Sequence, residues 1–215
     1  MPKILRNFLI WLPIPRGNYF CFFFNFFSLI TNSNIKITFK DGFYYIKNLN
    51  WRFYHRKAGA YFYQFGIERR INKLRQNYLI DNMKFNKDDV IIDCGANNGD
   101  FNLCFDKDIK YYGVEPSPIV FSNLEYNIKN QNLINKGLWK DSEKEISFYL
   151  SDEGGDSSII PISNYTKKIN IATITLDELI DEIGLNIKLI KIEGEGSEPE
   201  ILEGLKKNLK KVEYL

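Results

Sequence analysis

Histidine is almost missing from this chain: His55 is the one in 215 residues, which excludes a histidine-rich metal centre. Cysteine is scarce as well. Cys21, Cys94 and Cys104 are odd in number, widely spaced and form no CxxC pair. That argues against a disulfide framework or a zinc site and fits a reducing cytosol. There is no excess of charge: 29 Lys and Arg stand against 27 Asp and Glu, a net +2, where a nucleic-acid binder needs a markedly basic face. Internal repeats and low-complexity tracts are absent. So is an uninterrupted membrane-spanning run. The 19 uncharged residues between Arg16 and Lys36, "GNYFCFFFNFFSLITNSNI", are broken by Asn18, Asn25, Asn32 and Asn34. "FLIWLPIP" is broken by prolines and no small-residue cleavage site follows, a poor fit to a signal peptide.

What is present is a 44% hydrophobic chain, enough for one full domain with a real core and a small extension. Residues 1–33 form an apolar segment. Within it Tyr19, Phe22, Phe23, Phe26, Phe27 and Ile30 fall on one helical face, expected to pack on the domain or to rest at a membrane interface over residues 19–30. Residues 34–88 read as a hairpin and a helix. "NIKITFKDGFYYIKNL" alternates around Asp41-Gly42, a dipeptide that tolerates the positive φ of a tight turn. Ile67, Ile71, Leu74 and Tyr78 give a helical rhythm from about residue 58 to 81, with Arg69, Arg70, Lys73 and Arg75 on a solvated face.

From residue 89 to 215 the rhythm is strand, helix, strand. "VIID" is a short apolar run suited to a strand covered on both faces, and "IKYYGVE" is a second strand ending at Glu115. "PSPIVFSNLEYNIKN" reads as a helix with Ser117 as N-cap, Pro118 at its first position and Phe121, Leu124 and Ile128 inward. "LINKGLW" is a third strand, "KEISFYL" and "NIATITL" an inserted antiparallel pair, and "IKLIKIE" another buried strand. A helix follows with Ser197 and Glu200 at capping-box spacing, burying Ile201, Leu202, Leu205 and Leu209. "KVEYL" is a last strand. The predicted fold is α/β: a Rossmann-like, doubly wound, mainly parallel sheet with an N-terminal helix and hairpin extension.

In such a sheet ligands bind at the carboxyl ends of the strands. The turn in "VIIDCGANNGDF" lies there, and Glu115 stands 20 residues after Gly95, the spacing at which an acid reaches a ribose hydroxyl pair. A dinucleotide turn wants G-x-G-x-x-G to approach a pyrophosphate. Here the glycines are four apart, with Asp93 two residues before the first. Asp93 is placed to hold an ammonium, directly or through water, which suits S-adenosylmethionine; the competing reading is that Asp93 only caps the turn.

Together, "VIIDCGANNGDF", "GVEPSP", "NKGLW", "GGDSSII", "TITLDEL" and "LIKIEGEGSEPEILEG" resemble the FkbM-type S-adenosylmethionine-dependent methyltransferases, from about Asp89 to Leu215. The resemblance implies the SAM-methyltransferase fold and methyl transfer to an oxygen of a sugar or natural-product hydroxyl. It implies that Asp93, Gly95, Ala96, Asn97 and Gly99 line the methionine part of the cofactor, Glu115 the ribose, and Ser117 and Asn135 the adenine side. Many members read K-I-D-V-E-G-A-E where this chain has "KIEGEGSE", so that Glu193 replaces an aspartate. The fold commonly continues past its fifth strand, so an incomplete C-terminal end is expected here.

Glu193 and Glu195, where the fourth strand meets the cofactor, are the candidate catalytic acids, as base or acceptor contacts. Glu198 and Glu200 read as compensation of a helix N-terminus, and His55 as a packing or surface residue. No metal site is expected. The acceptor is expected to be a small molecule or glycan, the location cytoplasmic or peripheral at a membrane, and nucleic acid is not an expected partner. Two alternatives stand beside this reading: an NAD(P)-dependent oxidoreductase, and a non-catalytic membrane-associated protein of the same fold.

Overall fold

In the computed structural model, which describes residues 12–30, 35–47, 49–53, 59–105, 108–129, 131–143, 145–151, 157–163 and 165–215, the chain divides into two units, 1–77 and 78–215. His55 lies outside the described residues.

The first unit is built on aromatic packing. Helix α1 (Asn18–Ile30) lies along a three-stranded antiparallel sheet of β1 (Ile37–Lys40), β2 (Phe43–Ile46) and β3 (Trp51–Phe53). Asp41 (φ 51°) and Gly42 (φ 83°) make the tight turn that the dipeptide forecasts, pairing Lys40 with Phe43. Tyr44 is fully buried and sits edge-on to Phe20 and stacked with Phe53, which in turn meets Tyr63. The asparagines that interrupt the apolar run have a structural use. Asn25 donates from Nδ2 to the Ile37 carbonyl (2.9 Å) and accepts from the Ile37 N–H at Oδ1 (2.7 Å), so it pairs the exposed edge of β1. The face that packs is Phe20, Cys21, Phe24 and Ser28; of the six residues grouped by periodicity, all but Phe27 are exposed. The expected single helix over 58–81 is two: α2 (Ala60–Tyr63) and α3 (Ile67–Asn77), separated at Gly66, whose φ of 96° ends the first. Among the described residues no helix is long and apolar enough to cross a membrane.

The second unit holds a five-stranded, all-parallel sheet. Its strands are β4 (Val90–Cys94), β5 (Lys110–Val114), β6 (Asn132–Ile134), β11 (Ile187–Ile192) and β12 (Val212–Tyr214), in the order β12-β11-β4-β5-β6. β4 is buried at all five positions, as a covered parallel strand should be. The order reverses between β4 and β11, with β5 and β6 on one side of β4 and β11 and β12 on the other, which places a crevice at the carboxyl ends of the central strands. β8 (Ile146–Ser151) pairs antiparallel with β9 (Tyr165–Ile171), so the partner of "KEISFYL" begins earlier than the expected "NIATITL", and β10 (Thr173–Ile174), within that string, pairs parallel with β7 (Gly137–Leu138) instead.

Several local expectations are corrected. "LINKGLW" is two strands, because Asn135 donates to the carbonyls of Glu115 (2.8 Å) and Pro116 (3.2 Å) and turns the chain between them. The segment after β4 is only a 3-10 turn (Asp100–Cys104), entered through Gly99 at φ 89°. α5 (Leu176–Ile183) was not foreseen: Thr175 caps it by accepting from the Glu178 N–H (3.0 Å), and Gly184 ends it in the left-handed region. α4 (Pro118–Asn127) and α6 (Glu198–Glu203) start where expected, but neither Ser117 nor Ser197 caps through its side chain. Ser197 Oγ instead donates to the Gly194 carbonyl (2.6 Å). Leu202 and Leu209 are exposed; Ile201 and Leu205 carry the packing.

Candidate functional site

The glycine turn closes over the end of β5. Gly95 and Ala96 both donate their N–H to the Val114 carbonyl at 3.0 Å, and Gly95, Asn97 and Gly99 take φ of 71°, 52° and 89°. Gly95 is required by the chain itself: a Cβ there would stand 2.2 Å from the Glu193 carbonyl oxygen, where the end of β11 passes. A Cβ on Gly99 would meet Ile128 Cδ1 at 2.4 Å. Asn98 locks the turn onto α4, accepting from Asn123 Nδ2 at its side chain (3.0 Å) and from Asn127 Nδ2 at its carbonyl (2.8 Å).

Glu115 follows β5 and is 7% exposed. Its carboxylate is held by two backbone donors, Asn97 N–H to Oε2 (3.0 Å) and Ser117 N–H to Oε1 (2.9 Å). A carboxylate has about four acceptor positions, so two remain open. Burial pushes Glu115 from 4.5 up to about 7, against the pull of the two N–H groups. Beside it Ser117 Oγ is buried and has no hydrogen-bond partner among the described residues. Asn135 lies next to both through its bonds to the Glu115 and Pro116 carbonyls.

On the other side of the turn is a buried lysine. Lys191, on β11, places Nζ 2.7 Å from Asp93 Oδ1, 3.1 Å from Glu193 Oε2, and 3.3 and 3.2 Å from the carbonyls of Cys94 and Gly95. Its ammonium also faces the rings of Tyr78 and Phe101 at 5.8 and 5.7 Å. Burial works against the charge on Lys191, but Asp93, Glu193 and Tyr78 outweigh it and raise its pKa. Asp93 is completely buried, which pushes its carboxyl upward against the attraction of Lys191 and the hydrogen bonds from Lys191 and Tyr111. Both Asp93 oxygens are therefore engaged by the protein's own groups. Tyr78 donates to Glu193 Oε1, and burial raises its hydroxyl pKa well above the usual tyrosine range. The Glu193 side chain is 53% exposed, so it joins the buried cluster to the solvent side of the crevice.

Glu195 is placed differently. It is exposed, takes φ 49°, and is anchored by its backbone, whose carbonyl accepts from Ser158 Oγ (2.9 Å). Glu198 accepts from the N–H groups of Gly194 (2.8 Å) and Gly196 (3.0 Å), the structural use expected of it. Cys94 offers no nucleophile, since burial pushes its thiol up to about 12.

The fold is that of the α/β class: a Rossmann-like parallel sheet with a glycine turn and an acid at the carboxyl ends of neighbouring strands, where proteins of this class bind ligands. The chain belongs to the FkbM methyltransferase family: residues 93–215, more than half its length, match the Methyltransferase FkbM domain. Among solved structures it is similar to a methyltransferase FkbM from Methylobacillus flagellatus KT, at 19% identity and a TM-score of 0.39. That alignment covers 57% of this chain and 30% of the other, so the chain spans under a third of the structure it matches. No curated protein sequence matches it.

Sequence reasoning missed Lys191, Tyr78 and Tyr111. The signal for Lys191 was there: a lysine inside the apolar run "IKLIKIE" is buried only if paired, and its strand neighbour is Asp93. Tyr78 and Tyr111 carried none, because their partners lie 115 and 18 residues away.

Proposed function

We propose that this chain holds S-adenosylmethionine at the carboxyl ends of β4 and β5 and transfers its methyl group to a hydroxyl of a sugar or other small-molecule acceptor. The observation that carries the reading is Glu115, with two acceptor positions open beside the glycine turn and the unpartnered Ser117 hydroxyl next to it. Such a donor and acceptor set fits a ribose with its attached base. Glu115 would accept from the ribose hydroxyls, Ser117 and Asn135 would flank the base, and the backbone of Gly95, Ala96, Asn97 and Gly99 would line the amino-acid end. Asp93 serves this site through Lys191, whose ammonium it holds against the Cys94 and Gly95 carbonyls. When bound, S-adenosylmethionine supplies a methyl group already activated by its sulfonium. The chain's part is then alignment, for which effective molarities of roughly 10⁵–10⁸ M are reached.

Glu193 is the better placed of the two candidate acids, because its carboxylate is oriented by Tyr78 and Lys191 and still reaches solvent. A role as proton acceptor for the acceptor hydroxyl predicts that Glu193→Gln lowers turnover about 10²-fold while leaving cofactor affinity unchanged. Methyl transfer from labelled cofactor to a panel of nucleotide sugars and glycan intermediates measures this, and an unchanged rate removes Glu193 from the chemistry. The cofactor reading itself is tested by thermal shift with S-adenosylmethionine, S-adenosylhomocysteine and NAD. Saturation at a hundred times Kd stabilises by about 2.7 kcal/mol, a rise in Tm of roughly 5–10 °C for a chain of this size. A shift with NAD instead favours an oxidoreductase, and no shift with any of the three a non-catalytic protein of the same fold.

A further inference from the structure

The near-zero net charge of the chain conceals a division. Residues 1–77 carry 13 Lys and Arg against 2 Asp and Glu, a net +11, whereas residues 78–215 carry 16 against 25, a net −9. The positive unit is also the one with an exposed aromatic helix face. On α1, Tyr19 is 70% exposed, Phe22 68%, Phe26 51%, Leu29 64% and Ile30 63%. With Phe23 they form a stripe about 120° wide at 3.6 residues per turn, and no charged residue occurs anywhere in the helix. An apolar patch of this kind on a chain surface marks an interaction site.

From these two features we infer that the first unit docks on an anionic lipid bilayer, with α1 lying in the interface and its aromatic stripe inserted among the acyl chains. The helix has 13 residues, about 20 Å of rise, too short to cross a hydrocarbon core of about 30 Å but of a length to lie along it. Its inner face is fixed: Phe20 and Phe24 are fully buried, Asn25 pairs the edge of β1, and Ser28 Oγ accepts from the Ile35 N–H (3.1 Å). The stripe is therefore held outward before any bilayer is met, and little ordering is needed on docking. Arg16, just before the helix, and Lys36 and Lys40, just before and at the end of the strand it packs against, are exposed and able to face lipid phosphates. Charge selects the occupant. A second copy of this face brings the same +11 and is repelled. Nucleic acid would satisfy the cations but leaves Leu29 and Ile30 without an apolar partner. An anionic bilayer satisfies both, and the inference stands whether or not the cofactor reading does.

The experiment is sedimentation of the full chain with phosphatidylcholine vesicles containing about 30% phosphatidylserine, and with pure phosphatidylcholine. Binding is expected at least tenfold tighter on the anionic vesicles at 0.1 M salt, and weaker at 1 M, where the screening length falls from about 10 Å to about 3 Å. Phe22→Ser with Phe26→Ser should weaken it at least tenfold, and Lys36→Glu with Lys40→Glu several-fold. Phe22→Trp keeps an aromatic ring, and its added emission should be quenched by lipids brominated on the acyl chains. No binding to anionic vesicles, no quenching, or binding unchanged by the paired serine substitutions in a folded chain overturns the inference. So does a self-association, or binding to single-stranded DNA, that the same substitutions abolish while vesicles are ignored.

Discussion

At the residue scale, the two acids nearest the turn are held in opposite ways. Glu115 is buried with no ion pair among the described residues, and burial, outweighing its backbone donors and the attraction of Lys191, raises its pKa from 4.5 to about 7. Between those values the folded state binds more protons than the unfolded one, so stability contributed by Glu115 falls as pH rises, by roughly 3 kcal/mol at most. Denaturant unfolding of the wild type should show that decline between pH 5 and 8, and Glu115→Gln should flatten it. Affinity for S-adenosylhomocysteine should move the other way, rising from pH 6 to 8 as the carboxylate forms; calorimetry showing no such rise removes the ribose contact. Asp93 has a cation, Lys191, at 2.7 Å with both groups buried. Lys191→Met strands the Asp93 carboxylate in the core and should cost about 3–5 kcal/mol, most of it restored by adding Asp93→Asn. If Lys191→Met alone leaves the denaturation midpoint in place, the pair does not hold the turn.

At the scale of elements, the glycine turn is a junction of three strands. β4 ends in it, β5 lends the Val114 carbonyl to two of its N–H groups, and β11 presses the Glu193 carbonyl against Gly95. A side chain at Gly95 thus collides with the protein before it meets any ligand. Gly95→Ala should lower stability by about 1–3 kcal/mol from the positive φ alone, with the 2.2 Å approach adding to it. A Tm within a degree of the wild type would mean that β11 gives way easily. The elements read well where local chemistry is strong, as in the Asp41-Gly42 hairpin and the apolar strands β4 and β11. They read poorly where a long-range bond redirects the chain. Asn135 splits one expected strand because it reaches the Glu115 and Pro116 carbonyls, and nothing in "LINKGLW" announces that. The α5 helix is legible, with Thr175 and Glu178 at capping spacing and Gly184 at its end, but the strand reading of "NIATITL" takes in its first residue, Leu176, and leaves Leu179 and Ile180 unassigned.

At the scale of the whole molecule, the division of charge follows the division of the fold. The unit with the parallel sheet is acidic, with a net −9. The unit with the aromatic helix is basic, with an apolar stripe facing out. A chain that methylates an acceptor held at a membrane surface would combine these two properties. The site and the stripe are separable by experiment, since ligand-induced melting reports on the first and vesicle sedimentation on the second.

The sequence by itself determined the α/β class, the hairpin, the glycine turn with its acid 20 residues on, and membership of a methyltransferase family. The first three rest on short-range pattern, alternation, apolar runs and spacing within one strand–turn–strand unit, and the family on six strings that occur in order from residue 89 to 215. The tertiary structure alone decided which face of α1 is outward, because the helix carries no charge and its Asn25 and Ser28 turn inward to bond the backbone of Ile37 and Ile35, on the side that meets Tyr44 and the edge of β1. It also decided what surrounds the turn. Lys191 lies 98 residues from Asp93, and only strand pairing between β4 and β11 brings an ammonium to that carboxylate and so fixes which acids remain open to a ligand.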